Sequence, residues 1–218
     1  MRLYIYDHCP FCARARMIFG LRDVPLETQT LLFDDAETPT RLVGEKTVPI
    51  LEFDDGGTLT DTQQIVRGID AEAEGVKVMD GPQNPDIERW VKAASDTIFK
   101  LFAPRAVEAP LGELATPEAA EAFRAKMTDM VGDLDALREQ TPALLNDLER
   151  WFTELEPLIQ SPEAVNQVLS LDDITLYPVL RHLSLVEGVK YPEKVDAYRL
   201  AMAQLSRVPL HDQPIEPG

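Results

Sequence analysis

Apolar residues recur with one period in the first third of the chain and another in the rest. Leu3-Tyr4-Ile5-Tyr6 is a short apolar run that reads as a strand, and Ala15, Ile18 and Phe19 then fall at helical spacing over residues 13–22. Gly20 and Pro25 punctuate that helix. Residues 26–32 alternate, with Leu26, Thr28 and Thr30 against Glu27 and Gln29, as a second strand does. Thr38-Pro39 opens a short helix that Gly44 closes. Residues 47–53 and 58–60 are β-rich runs joined by Asp54-Asp55-Gly56-Gly57, a hairpin signal. Asp61 or Thr62 can cap a helix that runs from Gln63 to about Glu72, with Ile65, Val66 and Ile69 inward.

Residues 75–85 then gather Gly75, Asp80-Gly81-Pro82 and Asn84-Pro85, the composition of a linker. Beyond them no segment reads as a strand. Ile87, Trp90, Val91, Ala94, Ile98 and Leu101 make one helical stripe, and residues 118–138 and 144–155 repeat the habit. Trp151 and Phe152 read as core. Ser170 with Asp173 is a capping-box variant, and Leu169 with Ile174 fits the hydrophobic staple. Tyr177-Pro178 inside the same pattern predicts a kink. A last helix is expected over 192–206, followed by a proline-rich tail. The pattern therefore predicts an α/β unit at 1–74, a linker at 75–85 and an all-helical unit at 86–218.

The chain has 218 residues, 44% of them hydrophobic, and no apolar run long enough to span a membrane. Its formal net charge of −17 argues against a nucleic-acid phosphate binder and against attraction to anionic lipid. The N-terminus goes directly into the first strand without signal-peptide organisation. With a single vicinal cysteine pair, a reducing cytoplasmic setting is the expectation.

That pair, Cys9-Pro10-Phe11-Cys12, holds the only two cysteines and sits where a strand gives way to a helix. Dithiol redox chemistry needs this arrangement. With Cys9 just before the helix and Pro10 at its first position, the N–H groups of Phe11 and Cys12 point back at the Cys9 sulfur. They and the helix dipole favour a thiolate, the dipole contributing up to ~2 kcal/mol, or roughly 1.5 pKa units. Cys9 is thus the expected exposed nucleophile and Cys12 the buried resolving thiol. Arg14, Arg16 and Arg22 crowd the same helix; solvated arginines on its outer face are the expectation. A structural zinc site wants four ligands, and one pair with three scattered histidines does not supply them, so no metal is expected. An iron–sulfur cluster shared between two chains is a further alternative, which a visible absorption band would reveal.

Pro49 is odd within a strand-like run, because proline lacks a ladder donor. Spacing serves two readings equally: a cis bond that presents the Val48 backbone to a ligand, and an ordinary trans proline at a strand start. The helix start at Asp61-Thr62 likewise serves as a cap or as a receptor for a ligand carboxylate.

Taken together, the Cys-Pro-aromatic-Cys unit, the turn Thr47-Val48-Pro49, the Asp61-Thr62 helix start and the helical second half resemble the two-domain bacterial glutaredoxin 2 family. The likeness is densest at 3–12, 15–21, 34–41 and 48–51, and returns at Leu169-Ser170, Asp172-Asp173-Ile174 and 178–181. Phe11 stands where that family usually has tyrosine, and Asp61-Thr62 where familiar members have glutamate-serine. The resemblance implies a thioredoxin-like N-terminal domain, an all-α C-terminal domain and a glutathione-transferase-like architecture. It implies that Cys9 attacks glutathione mixed disulfides and that Cys12 can close a disulfide with it. Glutathione, a co-substrate rather than a resident cofactor, would lie against Pro10, Phe11, Val48 and cis-Pro49, its γ-glutamyl end at Asp61 and Thr62. Glutathionylated proteins would be the partners of a monomeric enzyme. Alternatives of other classes are a glutathione transferase acting on electrophiles, which needs no second cysteine, and a non-catalytic binding module.

Overall fold

Strand β1 (Arg2–Ile5) lies second in a four-stranded sheet of order β2-β1-β3-β4. The computed structural model describes residues 1–212. From β1 the chain enters helix α1 (Pro10–Leu21) and returns as β2 (Glu27–Thr30), parallel to β1 with Arg2 opposite Glu27. After helix α2 (Glu37–Val43), which Gly44 closes at φ 87°, the antiparallel β3 (Ile50–Glu52) and β4 (Thr58–Leu59) complete the sheet. All four residues of β2 are exposed, as suits an edge strand made of Glu-Thr-Gln-Thr. Helix α3 (Thr62–Glu72) packs beside α1 and ends this unit.

The rest is helical: α4 (Pro85–Ala106), α5 (Pro117–Val131), α6 (Leu134–Glu139), α7 (Thr141–Leu155), α8 (Leu171–Leu183) and α9 (Glu193–Ser206). The helix expected over 118–138 is two, because Gly132 adopts φ 86° and Asp133 caps a new start through the N–H groups of Asp135 and Ala136. Pro104 and Pro178 both sit inside continuous helices rather than ending them. In the capping box, the Ser170 N–H donates to Asp173 Oδ2 at 2.8 Å. Asp173 also accepts from the Val165 N–H and the Tyr198 hydroxyl, so this carboxylate ties α8 to α9 as well.

One hydrophobic core runs through both units, joining Leu3, Met17 and Ile18 to Trp90, Tyr177 and Tyr198. Helix α8 lies at its centre, and α1 packs directly against α8 and α9. Gly20 makes the second of those contacts possible: a Cβ there would stand 1.9 Å from the Ser206 carbonyl oxygen.

The connecting stretch is fastened down. A 3₁₀ turn at Val78–Asp80 buries Val78, and the carboxylate of buried Asp70 accepts the N–H groups of Val78 and Met79, both at 3.0 Å. Arg22 reaches across from α1, 3.2 Å from Asp70, and donates to the carbonyls of Ala73 and Glu74. The first residues of the expected tail are also packed, Val208 accepting from the Tyr177 hydroxyl and Pro209 from Arg181; residues 213–218 of it lie outside the described residues.

Candidate active site

Helix α1 begins as the sequence implies. Cys9 is its N-cap at φ −71° and ψ 122°, and Pro10 opens the first turn. Cys9 is partly exposed and Cys12 buried, and both are free thiols. Among the described residues the Cys9 side chain closes no cap hydrogen bond of regular geometry, although the first N–H groups of the helix face it. The Cys12 thiol beside it, opposed by burial and joined by the N–H groups of Cys12 and Phe11 and the charge of His8, brings Cys9 down to about 6. Burial, with the neighbouring Cys9, pushes Cys12 well above its ordinary value. The two thiols are set apart in the sense that a nucleophile and a resolving partner require.

A cleft of about 640 Å³ opens beside them. Phe11, Val48, Pro49, Asp61 and Thr62 all line it, brought together from α1, the β3 approach and the start of α3. The Val48–Pro49 bond is cis rather than trans. Asp61 is the N-cap of α3, its carboxylate accepting the Gln64 N–H at 2.8 Å, and Thr62 is the first helical residue. Cys9, Pro10 and Cys12 are not themselves part of the cleft wall; Phe11, between the two cysteines, is their link to it. Its far side comes from residues that the pattern did not single out, Met79 and Gln83 of the connector and Leu171, Ile174 and Thr175 of α8.

The three clustered arginines are not the solvated face expected of them. Arg14 lines the cleft with its guanidinium 5.4 Å over the Phe11 ring. Arg16 donates to Asp7 at 2.7 Å, and Arg22 anchors the connector.

Sequence reading also missed what holds the loop before Cys9. Asp7 receives Arg181 of α8 on both carboxylate oxygens, each at 3.0 Å, and Arg181 also donates to the Asp7 carbonyl. Burial would raise the Asp7 carboxyl, but Arg181 and Arg16 outweigh it and hold it at about 2. His182 sits 2.9 Å from the His8 carbonyl through Nε2. A carbonyl only accepts, so Nε2 carries the proton, and burial keeps this imidazole neutral with a pKa of about 3. From the turn after α4, Glu113 accepts the backbone N–H of His8 at 2.9 Å and lies 2.7 Å from its Nδ1. These partners are 105 and 174 positions from the loop, beyond any local pattern. The one signal was Arg181 itself, a charge within an otherwise apolar helical run.

Residues 86–214 match the family model for glutaredoxin 2, C-terminal domain, and residues 3–77 that for glutathione S-transferase, N-terminal domain. Glutaredoxin 2 of Escherichia coli K12 is 41% identical over 210 residues, 96% of this chain and 97% of that protein.

The chain belongs to the glutaredoxin 2 family.

Among solved structures, glutaredoxin 2 from Salmonella typhimurium, in complex with glutathione, superposes with a TM-score of 0.93 at 40% identity, covering 96% of each chain. A glutathione S-transferase from Rhodospirillum rubrum matches at TM-score 0.64 and 19% identity over 99% of this chain and 94% of that one, a likeness of fold alone. The architecture is thus a thioredoxin-like α/β domain followed by an all-α domain, arranged as in glutathione transferases. Among the described residues no helix is long and apolar enough to cross a membrane.

Proposed function

We propose that this protein is a glutathione-dependent thiol–disulfide oxidoreductase that reduces protein–glutathione mixed disulfides, with Cys9 as nucleophile. The observation that carries the reading is the partly exposed Cys9 thiol, lowered to about 6, at the edge of a cleft in a chain so close to a glutathione-bound glutaredoxin 2. The Cys9 thiolate attacks the glutathionyl sulfur of the mixed disulfide. The S–S bond breaks, the protein leaves as its thiolate and takes a proton, and Cys9 holds glutathione as a new disulfide. A second glutathione thiolate then attacks that sulfur, forming oxidised glutathione and freeing Cys9. On the dithiol branch Cys12 gives up its proton and attacks the Cys9 sulfur instead. Glutathione leaves, and two further glutathiones reduce the Cys9–Cys12 disulfide.

Glutathione lies with its cysteinyl backbone along Val48 and cis-Pro49, against Phe11. Its γ-glutamyl carboxylate meets the open N–H groups at the start of α3, beside Asp61 and Thr62. The protein acts as a monomer in the cytoplasm, divided into residues 1–74, a connector at 75–85 and residues 86–218. The transferase reading draws on a family model confined to residues 3–77 and on likeness of fold, which carries no activity.

Glutathione-coupled reduction of a glutathionylated peptide tests this, comparing the native protein with Cys9→Ser and Cys12→Ser. Activity lost only in Cys9→Ser supports the monothiol route, and loss in both supports the dithiol route. No turnover by the native protein overturns the assignment.

A further inference from the structure

Glu113 is a buried carboxylate with no task in the chemistry above. Its residue is 0% exposed, and it belongs to the 3₁₀ turn Gly112–Leu114 of the helical domain. One oxygen, Oε1, takes both the backbone N–H of His8 and its ring Nδ1. The other, Oε2, is buried without a partner. Burying a carboxylate while leaving half of it unpaired is costly, so whatever keeps Glu113 ionised must come through Oε1. Burial opposes its ionised form, and the hydrogen bonds and charge of His8 outweigh that, so Glu113 is held below the usual carboxylate range. A carboxylate only accepts, so the proton between Glu113 and His8 sits on Nδ1.

The ring is held as firmly as its proton. His8 stacks on Tyr6 with centroids 5.7 Å apart and 9° between planes, and Phe123 of α5 closes in at 4.6 Å. The His8 carbonyl is pinned by His182. A ring so fixed, directly before Cys9 in the chain, is one of the charges that favour the Cys9 thiolate.

We propose that Glu113 is a positioning residue for the Cys9 thiolate: by forming an ion pair with His8, it holds a positive charge beside the nucleophile from the helical domain. This rests on Cys9 being the nucleophile, and it gives that domain a share in setting the thiol's reactivity. Other charges around the loop are Arg14 and Arg16 on α1, Asp7 beside His8, and Arg181 and His211 from the C-terminal half. None of them contacts the His8 ring through Glu113, so a double-variant comparison isolates this pair.

The sign separates the proposal from a merely local charge. Were Glu113 acting on Cys9 only as a nearby negative charge, its neutralisation would favour the thiolate. Acting through His8, its neutralisation disfavours it. The experiment is the pH profile of Cys9 alkylation by iodoacetamide, without glutathione, in the native protein, Glu113→Gln, His8→Asn and the double variant. The expected result is a Cys9 titration moved to higher pH in both single variants, with nothing further lost in the double. For a native midpoint of about 6, a rise of one unit makes alkylation at pH 6 about fivefold slower. An unchanged or lower midpoint in Glu113→Gln overturns the proposal, and so does full additivity in the double variant. If Glu113→Gln does not fold, His8→Asn decides: a raised midpoint supports the proposal and an unchanged or lowered one overturns it. Peptide turnover measured alongside keeps the two readings apart, since failure of the glutathione assignment would abolish native turnover and leave these alkylation profiles intact.

Discussion

Arg181, buried at the centre of the helical domain, closes a two-pronged ion pair on Asp7, two residues before the reactive cysteine. The guanidinium has almost no contact with solvent, whereas Asp7 is also served by Arg16. Replacing Arg181 by methionine fills the space but leaves a depressed carboxylate short of its main partner. A loss of about 3 kcal/mol is expected, at the low end for a broken buried pair because Arg16 remains. Urea unfolding monitored by tryptophan fluorescence measures it.

Acid should unfold the protein in two successive windows. His182 and His211 are held neutral by burial, with pKa values of about 3 and about 4. A lowered folded pKa means the unfolded chain binds the proton first, so this stability is complete above about 6.5 and is lost as pH falls below it. Asp7, also depressed, gives stability that is full above about 4 and is lost as pH falls through about 2. Its share is on the order of 2 kcal/mol, from a shift of nearly two units. Melting temperature against pH should show the first decline reduced in His182→Asn and the second in Asp7→Asn.

Two glycines in helices should respond to alanine with opposite signs. At Gly20 a Cβ would collide with the backbone of α9, 1.9 Å from the Ser206 oxygen. Gly20→Ala is expected to cost at least ~1–3 kcal/mol, since helix backbones must part to admit it. Gly68, within α3, has nothing within 4 Å of the same position. Gly68→Ala should stabilise by roughly 0.5–1 kcal/mol through helix propensity. Guanidinium midpoints on the two variants check both signs at once.

Asp61 has two tasks, capping α3 and bordering the cleft. Asp61→Ala should lose ~1 kcal/mol of stability, and Asp61→Ser should recover most of that. If the carboxylate also orients glutathione, the KM for glutathione stays raised in Asp61→Ser although the cap is restored. A steady-state titration with glutathione separates the cap from the contact.

Much of this fold was legible along the chain because local chemistry decides it. The C-x-x-C helix start, the Ser170 cap and the Asp61 start each depend on residues within a few positions of one another. The break at Gly132 was overlooked because the apolar stripe of α5 resumes in α6, and periodicity does not register one residue at positive φ. The solvated reading of Arg14, Arg16 and Arg22 failed for a different reason. Asp70 reaches Arg22 only in the assembled fold, and Asp7 is turned onto Arg16 by the loop before α1; Phe11, one turn before Arg14, was the one partner within local reach. The cleft wall from Leu171 and Ile174 was equally out of reach, since it depends on how α8 crosses α1.

The grip of Glu113, Arg181 and His182 on residues 7 and 8 sets an order of events during synthesis. Both cysteines leave the ribosome well before the side chains that fasten their loop, which follow 105 and 174 positions later. Domains tend to fold as they emerge, N-terminal first. The nascent chain therefore carries its thiols through the synthesis of about 170 further residues without all the partners that complete their setting. The reactive cysteine is thus made well before its surroundings are complete.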